Sequence, residues 1–192
     1  MFDTPLTRLI RALIAAAVAL AIGASALAAE EDDTYSEDDV VTIAADFFGE
    51  GTELIAKTLE RVFADFGRPN GYIAGEEISG AFVVGLRYGN GALTTKKIET
   101  LKVYWQGPSI GFDVGGNASK VFALVYNLDD PEQLFQRYPG VDGSLYFIAG
   151  FSVNYQQAGN VILAPIRTGV GLRTGISVGY LHYNRKHSWL PF

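Results

Sequence analysis

The only imidazoles in the 192 residues are His182 and His187, both near the C-terminal end beside Arg185 and Lys186. A hydrolytic triad needs an imidazole held between a nucleophile and a carboxylate. The Gly-x-Ser-x-Gly elbow that marks one such family is absent, and so is a phosphate loop. His182 falls on the apolar parity of its strand and reads as a hydrogen-bonded core or rim residue rather than a base. There is no cysteine, which removes thiolate catalysis, cysteine-ligated zinc and disulfides. The glycines between Gly111 and Gly116 lie inside a strand pattern with no helix after them, so they do not make a nucleotide site. Glu76 and Glu77 are adjacent, and a strand points neighbours to opposite faces. They cannot act as a pair and read as a solvated edge. Glycoside hydrolysis needs two carboxyls about 5 to 9 Å apart across a cleft. Asp113 and Glu99 are the carboxylates available for it, and no motif supports them.

Arg173 stands between Gly171 and Gly175 with nothing bulky beside it. A guanidinium there meets a phosphate or carboxylate in bidentate fashion, or forms a salt bridge to a helix acid such as Glu60 or Asp65. The salt bridge is the simpler reading. Trp105, Tyr104, Tyr146, Tyr155, Tyr180 and Tyr183 fill a core, or some of them line an apolar pocket at a barrel mouth. The candidate ligand-binding set is therefore Arg173, Trp105, Tyr180 and His182, with no catalytic residue, no metal ligand and no cofactor assigned.

The elements that must position these residues follow from periodicity. Ser36 with Asp39 three positions on is a weaker form of the capping box. Val40, Val41, Ala44, Phe47 and Phe48 then recur at helical spacing. A second helix runs from Thr52, with Ile55, Leu59, Val62, Phe63 and Phe66 on one stripe and Glu53 four residues before Lys57. Gly67, Pro69 and Asn70-Gly71 end it. From there the period is two. Strands are expected over 80–93 with a turn at Gly89-Asn90-Gly91, then over 98–105, 107–116, 119–127, 144–155, 160–168 and 169–184. Asp130-Pro131 starts a short inserted helix. In the last strand Gly169, Gly171, Gly175 and Gly179 share one face, while Val170, Leu172, Ile176, Val178 and Tyr180 share the other. Interior glycine weakens a strand, and its repeated use fits a small, sharply bent sheet. The expected fold is mainly β: a small antiparallel β-barrel of about seven strands with two N-terminal helices. Its apolar rows fill the interior, and its bare rows let a helix or neighbouring sheet approach.

The ends set the compartment. Arg8 and Arg11, the apolar run Leu13–Ile22 and Ala26-Leu27-Ala28 form a secretory signal over residues 1–28. The run is shorter than the roughly 20 apolar residues of a membrane span. The net charge of −6 is uneven. Residues 30–39 hold seven acids and no base, and the chain from Val40 onward is balanced at 13 against 13. Residues 29–39 read as a solvated acidic tail and 40–192 as one domain. No basic stripe for nucleic acid exists. A C-terminal Phe192 suits an outer-membrane strand, but Leu190, Ser188 and Lys186 do not make a lipid-facing row, and Pro191 breaks pairing.

Two resemblances rest on particular stretches. "KVYWQGPSIGFDVGG" followed by "VFALVYN" and an acidic turn resembles, distantly, the SYLF lipid-binding domains. "NYQQAGNVILAPIRTGVGLRTGISVGYLHY" with its W-x-PF ending resembles the envelope integrity protein A (EipA) family over Ser36 to Phe192. The second likeness implies a soluble barrel in the periplasm of a Gram-negative cell and a role in keeping the envelope sound. The first implies contact with lipid, although here the N-terminus is acidic and the helices carry few bases. The expected function is a non-enzymatic periplasmic barrel that supports envelope integrity by binding a lipid, a lipid-linked glycan or an envelope protein partner. The alternatives are a purely structural or protein-interaction module, and a carboxylate-based hydrolase of envelope glycans.

Overall fold

A computed structural model describes residues 33–98, 100–168 and 179–188, and of 79–84 and 109–117 the backbone only. The secretory signal expected over 1–28 and most of the strand expected over 169–184 lie outside the described residues. The described residues from Tyr35 onward belong to one compact unit.

Two helices open it. Helix α1, Glu37–Phe48, is capped as its sequence demands: the Ser36 side chain accepts from the Asp39 amide, and the Asp39 side chain returns to the Ser36 backbone. Glu37, Asp38 and Asp39, counted above with the acidic tail, form the first turn, where carboxylates complement the helix dipole. Gly49 ends α1 in the left-handed conformation at φ 73°. No base lies in the last turn of α1. The cation comes from the sheet instead: Lys120 Nζ donates to the Phe47 carbonyl at 2.8 Å and the Phe48 carbonyl at 3.3 Å. Helix α2, Thr52–Phe66, buries Ile55, Leu59 and Val62. Each such side chain contributes roughly 1.5–3 kcal/mol by leaving water.

The sheet is antiparallel and curled, with eight strands among the described residues. Strand β1, Gly71–Thr95, and strand β2, Leu101–Tyr126, pair along their whole length, with a register shift between Ser79 and Ala81. The strands expected over 80–93, 98–105, 107–116 and 119–127 are thus two long ones. Gly89-Asn90-Gly91 is not a turn but lies within β1, and the chain reverses between Thr95 and Leu101. After a 3-10 turn at Pro131–Leu134 come β3 (Arg137–Pro139), β4 (Tyr146–Ile148) and β5 (Phe151–Val153). Then follow β6 (Gln156–Ala158), β7 (Val161–Thr168) and β8 (Tyr180–Asn184). The single strand expected over 144–155 is split at Ala149 (φ 51°) and Gly150 (φ 93°), a two-residue hairpin turn with positive φ at both centres.

The free edge of β2 carries β8 at Tyr104–Gln106 and β7 at Val121–Tyr126. Strand β3 pairs β8, β6 pairs β7, and a bridge between Gly140 and Gln156 joins β3 to β6. The path of neighbours therefore returns on itself, as a barrel requires.

The two faces differ. The outer face presents Phe122, Leu124, Tyr126, Phe151, Ala164 and Ile166 to α1 and α2. The inner face carries Ile73, Leu93, Val103, Trp105, Val121, Leu163, Leu181 and Tyr183. By parity Gly75, Gly89, Gly91 and Gly107 belong to the inner face. This corrects the expected division of labour: the helices lie on large apolar rows, and the bare positions of β1 and β2 point inward. In β8 the inward residues are Leu181 and Tyr183, while Tyr180 and His182 face the other way. The reason is space. A Cβ on Gly75 would lie 2.2 Å from the Asn90 carbonyl oxygen and 2.6 Å from the Gly91 Cα. Gly75 and Gly91 are sixteen positions apart on one strand, about 50 Å if extended, so β1 doubles back until its own walls touch.

Gly91→Ala is expected to destabilise the protein by about 1–3 kcal/mol, since backbone must move to admit a methyl group. Gly51→Ser, at an open N-cap position with nothing within 4 Å, is expected to stabilise by a few tenths of a kcal/mol. Urea unfolding of the two variants measures both. Equal effects would refute the close-approach account.

Candidate functional site: a buried ion cluster on the inner face

Curling brings together charges that are remote along the chain. Glu77 and Arg87 are both in β1, ten positions apart, yet Arg87 Nε lies 3.1 Å from Glu77 Oε1. Strand β7 supplies Arg167, whose Nε donates to the same oxygen at 3.1 Å. Strand β2 supplies Trp105, whose Nε1 donates to Glu77 Oε2 at 2.8 Å. That indole lies across Gly89, its cross-strand partner: a Cβ there would come within 2.0–2.3 Å of the ring. Glycine at 89 is what lets Trp105 aim its N–H at Glu77. Arg167 Nη1 donates to Asn154 Oδ1 at 2.6 Å. Beside the cluster, the Tyr183 hydroxyl donates to Gln156 Oε1 at 3.4 Å, and the Trp105 and Tyr183 rings are 5.9 Å apart.

Little water reaches these groups: Glu77 is 3% exposed, Arg87 6% and Arg167 8%. Burial alone would raise the Glu77 carboxyl. The fields of Arg167 and Arg87 and the hydrogen bonds from Trp105 and Arg167 outweigh it and hold Glu77 below the ordinary carboxylate range. Both arginines stay charged, because guanidinium does not deprotonate in proteins. Both guanidiniums thus lie against the Glu77 carboxylate. Arg167 Nη2 is buried and has no hydrogen-bond partner among the described residues.

Of the expected site residues, Trp105, Tyr180 and His182 are described, and they divide between the two faces of the sheet. Trp105 is in the core as a donor to Glu77. Tyr180 and His182 share the opposite face of β8, where the Arg137 guanidinium sits 5.3 Å from the Tyr180 ring centre. Burial first, then Arg137, lowers the His182 pKa, which keeps the imidazole neutral at pH 7. Its Nδ1 is buried without a hydrogen-bond partner among the described residues. Arg173, Glu99 and the Asp113 side chain lie outside the described residues. Asp65, offered above as a partner for Arg173, accepts from Arg61 Nε at 3.2 Å and the Tyr155 hydroxyl at 2.6 Å. The solvated-edge reading of Glu76-Glu77 holds only for Glu76, which is exposed. Alternation does send the two to opposite faces, but the curl of β1 covers the face that Glu77 occupies. Arg87 and Arg167 were missed. The signal for Arg167 was parity, since it alternates in step with Val161 and Leu163 and so belongs on the inner row.

The arrangement can hold an oxyanion by charge and by hydrogen bonding. Among the described residues it offers no second carboxylate beside Glu77 for acid–base work, and no group of three or more acids or histidines is placed to hold a metal ion.

A family model described as "EipA: Envelope integrity protein A" matches residues 33–192. Among solved structures the chain is similar to a β-barrel-like, uncharacterised protein from Brucella abortus. The two are 50% identical with a TM-score of 0.76, covering 83% of this chain and 99% of that one. No curated protein matches.

With the Glu77 pKa depressed, its stabilisation is complete above the unfolded carboxylate value of about 4.3 and is lost as pH falls through the lower folded value. Thermal unfolding between pH 3 and 7 should therefore show an acid limb that is shallower in Glu77→Gln, with a lower plateau at neutral pH. An unchanged limb would remove Glu77 from the account.

Proposed function

Because the chain belongs to the envelope integrity protein A family, we propose that it is a periplasmic, non-enzymatic barrel that maintains the envelope by binding an amphiphile, a lipid or lipid-linked glycan. The observation that carries this reading is the composition of the inner face. It is not a uniform apolar plug. Ile73, Leu93, Val103 and Leu163 give it apolar character, and Glu77, Arg87 and Arg167 place buried charge beside them. Apolar walls with a few fixed polar groups are what amphiphile sites need. The secretory pattern in the sequence of residues 1–28 supports the periplasmic location. The absence of a catalytic motif in the sequence supports a binding role, as does a carboxylate kept ionised between two guanidiniums rather than poised to exchange a proton near neutrality. A protein-interaction role is the rival reading, favoured by the exposure of Ile78 (56%) and Phe147 (48%).

Two experiments test this. N-terminal sequencing of the periplasmic form is expected to begin at Ala29, and a chain recovered with its first 28 residues intact would overturn the export step. The second replaces the cluster as a whole, Glu77→Leu with Arg87→Met and Arg167→Met. A buried ion cluster exchanged for apolar residues of similar size is often neutral or stabilising. The triple variant is therefore expected to fold, by circular dichroism, yet fail to restore detergent resistance to a strain lacking the protein. Full restoration would assign the charges to architecture and leave the surface as the working part.

A further inference from the structure

We propose that the outer face of the β1–β2 ribbon at Ile78 and Leu86 rests against an anionic phospholipid membrane. That surface is separate from the inner face, and it shares with the reading above only the envelope location.

Helices α1 and α2 cover one end of the outer face, over Tyr72, Ala74 and Phe122. Ile78 lies past that cover and is 56% exposed, and Leu86, further along β1 on the same parity, is 38% exposed. Between them the backbone register sets Phe82 against Phe112 and Val84 against Ile110, with no shift from there to Leu86. Alternation gives these four positions the parity of Leu86. The odd positions of β1 differ in kind: Glu77, Gly85, Arg87 and Gly89 belong to the inner face. Apolar residues outward and small or charged ones inward reverse the order of a sheet that faces water, and match that of a sheet that faces lipid. The far border of the patch is cationic. The exposed Arg137 guanidinium is 5.3 Å from the Tyr180 ring centre, and the exposed Lys102 Nζ is 5.3 Å from the Tyr104 ring centre. Strand pairing puts both cations and both rings on this face, and past Ile78 no acid among the described residues is registered there. Protein interfaces surround an apolar centre with a polar rim of matched hydrogen bonds. Tyrosine beside a cation at the edge of an apolar surface suits a membrane instead, with the ring at headgroup depth and the cation near phosphate. With α1 and α2 on the rest of that face, the contact is one-sided, against a bilayer and not through it.

The test sediments the chain from Ala29 onward with vesicles of phosphatidylethanolamine and phosphatidylglycerol, or of phosphatidylcholine alone. Binding to both, stronger to the first, is expected. Ile78→Glu with Leu86→Glu should weaken it by roughly tenfold or more, since two apolar side chains lose their place in lipid. The same two positions changed to Thr keep strand propensity, so a loss in the same direction there excludes unfolding as its cause. Phe147→Glu, at a ring 48% exposed on β4, should leave binding unchanged. Arg137→Gln with Lys102→Gln should abolish the preference for the anionic vesicles. The chain has no cysteine, so Ile78→Cys, Leu86→Cys and Phe147→Cys can each carry a single environment-sensitive fluorophore. A blue shift on adding vesicles is expected at 78 and 86 and not at 147. No binding to either vesicle, binding indifferent to both Ile78 and Leu86 double variants, or an equal loss in Phe147→Glu overturns the proposal. A blue shift at 78 and 86 with membrane-free periplasmic extract, and none with vesicles, gives the face to a protein partner and also overturns it. The inner-face triple variant described above is expected to sediment like the parent. A loss there would put the lipid contact inside the barrel and overturn this surface, whereas failure of this surface leaves the inner-face reading standing.

Discussion

The structure depends on one steric condition: strand β1 must fold back until Gly75 meets Gly91. A side chain at either position would collide with backbone at less than 3 Å, and the walls would have to part. The distance between Glu77 and Arg87 is set by the same curl, because both lie on β1 between those glycines and extended chain would hold them roughly 33 Å apart. The electrostatics of the inner face are thus a consequence of a packing choice. Removing two methyl groups from a strand brings a carboxylate and a guanidinium to 3.1 Å.

The two faces of the sheet divide stability from chemistry. On the outside, α1 and α2 bury aromatic and aliphatic rows, with Phe48 packed 5.0 Å from Phe151 and Phe66 packed 4.6 Å from Tyr155 between ring centres. Hydrogen bonds add direction there, from Lys120 to the end of α1 and from Tyr155 to Asp65 on α2. This apolar contact is the dependable source of free energy. On the inside, a three-charge cluster gains Coulomb energy but loses hydration, so it is weak evidence of added stability. Support from outside allows the inner face to carry polar groups that a small domain with a single core would not tolerate.

The cluster also shows why short glycine motifs mislead. Gly89-Asn90-Gly91 has the composition of a tight turn, and in this chain it runs straight through β1. Gly89 makes room for the Trp105 indole, and Gly91 makes room for Gly75. Turn chemistry and close approach both demand a missing side chain, so the residue types alone do not separate them. The same holds for Glu77. Its alternation with Glu76 was legible, and the sign of its environment was not, because β1 is covered on its inner face by its own other half.

Local rules were enough for much of this protein. The Ser36–Asp39 cap, the α2 stripe, the β period after Gly71, the inserted turn at Asp130-Pro131 and the family all follow from residues within a few positions of one another or from their order. Each is a relation between i and i+2, i+3 or i+4, which the backbone enforces without knowing the rest of the fold. Tertiary structure decided which face of the sheet is inside, that four apparent strands are two, and that Glu77, Arg87, Trp105 and Arg167 share one site. Those outcomes depend on curvature, which sums small rotations over some twenty-five residues and is settled only where distant walls collide or fit.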